Sequence, residues 1–160
     1  MDKTLLVLTA LYLLFAIPLS LMDSKKFRIS IPLLLFASLS LLVCRFVFLS
    51  MPLLSGAKNL FFALISSFLI YFCTRVLSGE GLGFGDVFFG MYSALYTGFY
   101  LNIICTVFAA LLGVLYYLLL AILQKMKKKQ LVHRPIFAIP FVPFITAGSV
   151  LGVLLFYVIA

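Results

Sequence analysis

Residues Thr4 to Met22 read TLLVLTALYLLFAIPLSLM, a run without a single charge. A hydrocarbon core of ~30 Å is crossed by about 20 helical residues at ~1.5 Å rise each, so this stretch has the length and character of one membrane passage. Its apolar residues are continuous and do not alternate with period two, which argues against a barrel strand. Lys3 ahead of a leucine-rich segment has the outline of a signal peptide. Further apolar segments follow, however, and no small-x-small cleavage site stands behind the run, so it reads as a retained first helix.

Working outward, the same pattern repeats. After Asp23-Ser24-Lys25-Lys26-Phe27-Arg28 a second span is expected over Ile29–Ser50, with Pro32 in its first turn, where the missing N–H is not needed. Met51-Pro52 to Ser55-Gly56 connects it to a third, Ala57–Leu77. The glycine-rich stretch Ser78–Gly85 cannot be a helix interior, where each glycine costs ~1 kcal/mol against alanine. A short fourth span follows over Asp86–Tyr96, Thr97-Gly98 marks a turn, and a fifth continues to Leu123. The basic patch Gln124–Gln130 stops it, and Arg134-Pro135 opens a sixth. The expectation is one domain over residues 1–160, an all-α polytopic membrane protein built as a bundle of six transmembrane helices.

Composition agrees. The 160 residues are 66% hydrophobic, 16% aromatic and 10% charged, with a mean hydropathy of +1.30. A soluble domain runs nearer ~25% charged. Twelve basic and four acidic residues cannot clothe such a surface, which excludes a soluble enzyme or a disordered chain. The net charge of +8 does not line a soluble face, so no nucleic-acid partner is expected. Cys44, Cys73 and Cys105 lie in separate apolar runs, with no CxxC pair, and read as free core cysteines.

With the N-terminus outside, the inner loops hold nine basic residues (Lys25, Lys26, Arg28, Arg75, Lys125, Lys127, Lys128, Lys129 and Arg134) against Lys3 and Lys58 outside. That is a positive-inside bias, with both termini outside. Arg45 falls within the second span and is expected to snorkel or to lie further from the midplane than that span implies.

The acids are Asp2, Asp23, Glu80 and Asp86. Asp2 reads as solvated; under this topology the other three gather at the inner rim. Acids at a membrane boundary are expensive to desolvate and mark function. Two carboxylates in one poorly solvated place cannot both ionise, and a pair sharing a proton suits water-mediated peptide hydrolysis. Asp86, at a helix N-terminus, is expected to be the resting base, with Asp23 protonated. Gly83 and Gly85, on either side of Phe84, can take positive φ and leave backbone groups free to pair with an extended substrate segment. The alternative is that the glycines make a tight turn and Asp86 caps a helix.

Gly83-Phe84-Gly85-Asp86 is similar to GxGD, the signature of intramembrane aspartyl proteases. Asp23-Ser24-Lys25-Lys26-Phe27-Arg28-Ile29-Ser30 resembles the first catalytic motif of type IV prepilin peptidases, and Ala138-Ile139-Pro140-Phe141-Val142-Pro143-Phe144 resembles their IPFGPF segment. Three motifs in order cover nearly the whole chain. The presenilin-like branch pairs GxGD with YD and PAL motifs, which do not occur here. This sequence departs from the prepilin peptidase pattern at Ser30 (proline), Val142 (glycine) and Phe88 (lysine). Larger bacterial members carry a zinc-binding CxxC insertion associated with N-methylation, and this chain lacks it.

The resemblance implies a peptidase core with Asp23 and Asp86 catalytic; Gly83, Phe84, Gly85, Pro140 and Phe141 are expected at the substrate, with Glu80 beside the glycines. It implies neither metal nor cofactor. The partners it implies are the lipid bilayer of the plasma membrane and prepilin or pseudopilin precursors of type IV pilus or type II secretion machinery. These carry a basic leader, cut on the cytoplasmic side. Glu80 is the spare acid that could attract that leader. Other protease chemistries lack their parts: His133 is the single histidine, so HExxH is absent, and Ser55-Gly56 and Ser78-Gly79 do not complete a rhomboid pattern. A catalytically inactive scaffold and a small proton-coupled transporter stay open as other readings.

Overall fold

The computed structural model describes residues 3–48, 53–78, 82–126 and 140–159. Among them the chain forms six α-helices: α1 (Lys3–Lys26), α2 (Ile31–Phe48), α3 (Leu53–Leu77), α4 (Phe84–Thr97), α5 (Phe99–Met126) and α6 (Val142–Ile159). Three carry segments long and apolar enough to cross a membrane, Lys3–Lys26, Leu54–Leu77 and Phe99–Leu119, while Ile31–Val47 and Val142–Tyr157 are shorter apolar helices. The outside of the bundle is apolar, with Leu14, Leu35, Phe61 and Leu115 each more than half exposed. Water does not tolerate contiguous apolar surface of this kind and lipid does. This is a membrane protein.

The central element is α4. It packs against all five other helices and is buried along most of its length, with Phe84 and Phe88 exposed. Small residues make this possible, because backbones can approach only where side chains are short. At Gly90 an added Cβ would lie 2.3 Å from the ring of Tyr71 on α3. The same device joins α5 to α6. A Cβ at Gly148 would stand 2.5 Å from the backbone nitrogen of Ala109, and one at Gly152 would stand 2.5 Å from Cys105 Sγ.

Hydroxyl groups also tie the bundle together. Thr9 Oγ1 lies 2.8 Å from the Tyr96 hydroxyl, Ser20 Oγ 2.9 Å from Thr146 Oγ1, and Ser93 bonds Ser149. The Tyr12 ring stacks on those of Tyr92 and Tyr96, and the Tyr92 hydroxyl donates to the Tyr12 carbonyl at 3.1 Å.

The boundaries depart from expectation in instructive ways. The first helix does not stop at Met22 but runs through Asp23 to Lys26 and ends where Phe27 takes φ 50°. Its N–H closes on the Asp23 carbonyl at 2.8 Å. Ser55-Gly56, expected as a connection, lies inside α3. The sixth helix begins at Val142, with Pro140 and Phe141 ahead of it. Cys44 and Cys105 are buried as expected, but Cys73 is exposed on α3. Asp2, Glu80, Lys127–Lys129, His133 and Arg134-Pro135 lie outside the described residues, as do Ala138 and Ile139.

Arg45 turns inward onto the end of α4. Its Nη1 donates to the Leu95 and Tyr96 carbonyls in the last turn of α4. Helix-end carbonyls lack intrahelical partners and carry the negative end of the helix dipole, so a cation there is satisfied without a carboxylate. Gly98 then breaks the chain at φ 75°, ψ 177°, and Asn59 Oδ1 accepts the Phe99 N–H at 2.9 Å. That backbone conformation is open essentially to glycine alone, and a Cβ would come within 3.0 Å of Arg45 Nη2. Gly98→Ala is expected to destabilise the fold by about 1–3 kcal/mol, read as a lower midpoint when the detergent-solubilised protein is heated.

Candidate functional site

Three segments far apart in sequence meet at one end of the bundle. The last turn of α1 supplies Asp23, the first turn of α4 supplies Asp86, and the start of α6 supplies the Val142 backbone. The Val142 N–H donates to Asp23 Oδ2 at 3.3 Å. Val142 is the first residue of α6, so its N–H has no intrahelical acceptor and the helix end favours an anion. Phe144 and Ile145 turn their own N–H groups back to the Phe141 carbonyl at 3.0 and 3.1 Å. Pro143, in the same turn, has no N–H to satisfy.

Asp86 stands third in α4. Its Oδ2 accepts the Gly83 N–H at 2.9 Å, and its own N–H donates to the Gly83 carbonyl at 3.1 Å. This is the acidic half of a capping box. Capping occupies one carboxylate oxygen only: Oδ1 is buried and has no hydrogen-bond partner. Both aspartates are buried, at 6% and 9% exposure. They are close enough for the charge of Asp23 to bear on Asp86, and Arg75 and Tyr71 of α3 lie in the same electrostatic neighbourhood.

The glycines serve a different purpose from the one expected. Among the described residues Gly98 is the glycine with positive φ, and Gly83 is extended at φ −72°, ψ 153°. Its N–H and carbonyl are already bonded to Asp86. Closeness is what favours glycine here, although the neighbours are side-chain atoms that could give way. A Cβ at Gly83 would stand 3.3 Å from Asp86 Oδ2, and one at Gly85 would stand 2.9 Å from Ile29 Cδ1. The second contact seats the segment that follows Asp23 directly on the turn that carries Asp86.

Of the other expected substrate residues, Gly83 and Phe84 are exposed beside the pair, and Pro140 is half-buried. Phe141, also half-buried, packs edge-on to Tyr71 at 6.5 Å and close over Gly113. Glu80 lies outside the described residues. Among the described residues no group of His, Cys, Asp or Glu is arranged to hold a metal ion.

Sequence reasoning missed Arg75 and Tyr71. Arg75 counted only as a topology charge, and Tyr71 was not singled out. The available signal was their place, one turn apart on the last two turns of the helix that leads into the glycine loop.

The arrangement offers two carboxyl groups, each receiving a backbone N–H at a helix N-terminus, with Asp86 Oδ1 left buried and unbonded. Set beside protein-family models, curated proteins and solved structures, the chain matches none.

Proposed function

We propose that this protein is an intramembrane aspartic endopeptidase of the prepilin leader peptidase kind, in which Asp23 and Asp86 activate a water. In this reading α1 to α6 are six passages of a plasma membrane, with both termini outside and the carboxylate pair at the cytoplasmic rim. The carrying observation is the partnerless, buried Oδ1 of Asp86 within electrostatic reach of a second buried acid. A helix cap needs one carboxylate oxygen and no neighbouring acid, whereas hydrolysis needs a free oxygen to take a proton from water and a second carboxyl to polarise the scissile carbonyl. Both groups accept an N–H at a helix end, so neither is singled out as the base, and the pair titrates as one unit sharing a proton.

The substrate class is the one that the resemblance of the three motifs implies, and an acid pair at the inner rim would suit it. A precursor with a hydrophobic helix is delivered by lateral diffusion, and the junction between leader and helix then sits at the depth of the acids. The test is co-expression with such a precursor, followed by N-terminal sequencing. Removal of the leader by the wild type is the expected result, and an intact precursor would defeat the proposal and leave a scaffold.

One observation favours a second reading. The hydroxyls of Thr9, Ser20, Ser93, Tyr96, Thr146 and Ser149 bridge α1, α4 and α6, and the buried Tyr12 hydroxyl has no hydrogen-bond partner. Polar groups threaded between helices suit proton-coupled transport. Proton flux in reconstituted vesicles, without cleavage, would favour that reading.

A further inference from the structure

Gly83 has no side chain by which its position could be held, yet its N–H must stay on Asp86 Oδ2. The residues on either side of it are held instead, and by one group. Arg75, in the last turn of α3, donates from Nη1 to the Leu82 carbonyl, and its Cζ lies 4.1 Å from the centroid of the Phe84 ring. The planar guanidinium can do both at once, offering an edge of N–H donors and a face that stacks on an aromatic ring. Its charge also reaches Asp86.

We propose that Arg75 is a positioning residue, a latch that grips Leu82 and Phe84 and so keeps the Gly83 N–H on Asp86. The latch is a statement about the bundle itself. Its consequence for cleavage rests on the peptidase reading above.

The chain contains no tryptophan, so Phe84→Trp installs a single indole, excited apart from the tyrosines at the red edge, at the stacking position, where indole is the best partner for a cation. In detergent micelles the indole of this variant, exposed but covered on one face by Arg75, is expected to be partly shielded from acrylamide. Adding Arg75→Gln should raise its quenching constant about twofold. Adding Arg75→Lys, which keeps the charge but loses the plane, should give a value between the two.

In the otherwise native chain, Arg75→Gln should lower kcat for leader removal by about tenfold or more with KM changed less than twofold, because displacing the reacting group slows chemistry without touching the substrate's hydrophobic helix. Arg75→Lys should recover part of that loss, and serves where the glutamine variant folds poorly. Equal quenching with and without Arg75 overturns the latch, and so does a loss confined to KM or an unchanged kcat. A wild type that cleaves nothing overturns the peptidase reading, and the quenching measurement then decides the latch by itself.

Discussion

Under the peptidase proposal, Asp86→Asn is expected to abolish leader removal and Asp23→Asn to do the same, each lowering the rate by at least about 10³-fold, within the span usual for a positioned acid or base. The substitution isolates the chemistry. An asparagine oxygen can still accept the Gly83 N–H at position 86, or the Val142 N–H at position 23, so the helix ends keep their partners. What is lost is the ability to ionise, and with it the shared proton. Both variants should therefore melt in detergent within about 1 kcal/mol of the wild type, the scale of one net hydrogen bond. The double variant should be no slower than either single one, because the two groups act as a unit. The readout is the time course of precursor shortening on a gel. Wild-type rates from either variant would remove the acid pair from the mechanism.

Gly148→Ala is expected to cost about 3 kcal/mol, the upper end of what overpacking usually does. The added methyl would meet the backbone of Ala109, with nitrogen at 2.5 Å and Cα at 2.8 Å. No rotamer change can relieve a clash with main chain, so α6 must move away from α5 and surrender contact along their length. Gly152→Ala should be milder, because the 2.5 Å neighbour there is the Cys105 sulfur, a side-chain atom. Heating each variant in micelles and following the loss of monomer by size exclusion gives the ranking. A Gly148 variant as stable as the Gly152 variant would show that the helices separate more easily than their contact implies.

The bundle was largely legible in the sequence, because uncharged runs of membrane length have few alternative fates. Thr97-Gly98 was read as a break and is one, but its stabilisation by Arg45 and Asn59 was invisible, since both come from helices distant in sequence. Charge misled at the end of α1. Asp23 to Lys26 looked like a loop, yet lysines on the final turn of a helix can reach out along their stems, and the backbone gains by continuing. The two aspartates could be singled out because the chain has only four acids. Their surroundings could not be read. The glycines flanking Phe84 were expected to be conformationally special, whereas the fold uses them as gaps into which Ile29 and Asp86 fit. The spacing Gly148-x-x-x-Gly152, a known mark of close helix approach, was there to be read and was passed over.

The backbone contact between Gly148 and Ala109 also divides the protein mechanically. Helix α6 is clasped to α5 main chain against main chain, whereas it meets α1 through side chains such as the Ser20 and Thr146 hydroxyls. The first kind of joint has no slack, and the second can slide by small rotamer steps. If the proposed acid pair must close on a water, the adjustment is expected from α1 and α4, because α6 cannot leave α5 without breaking that backbone contact.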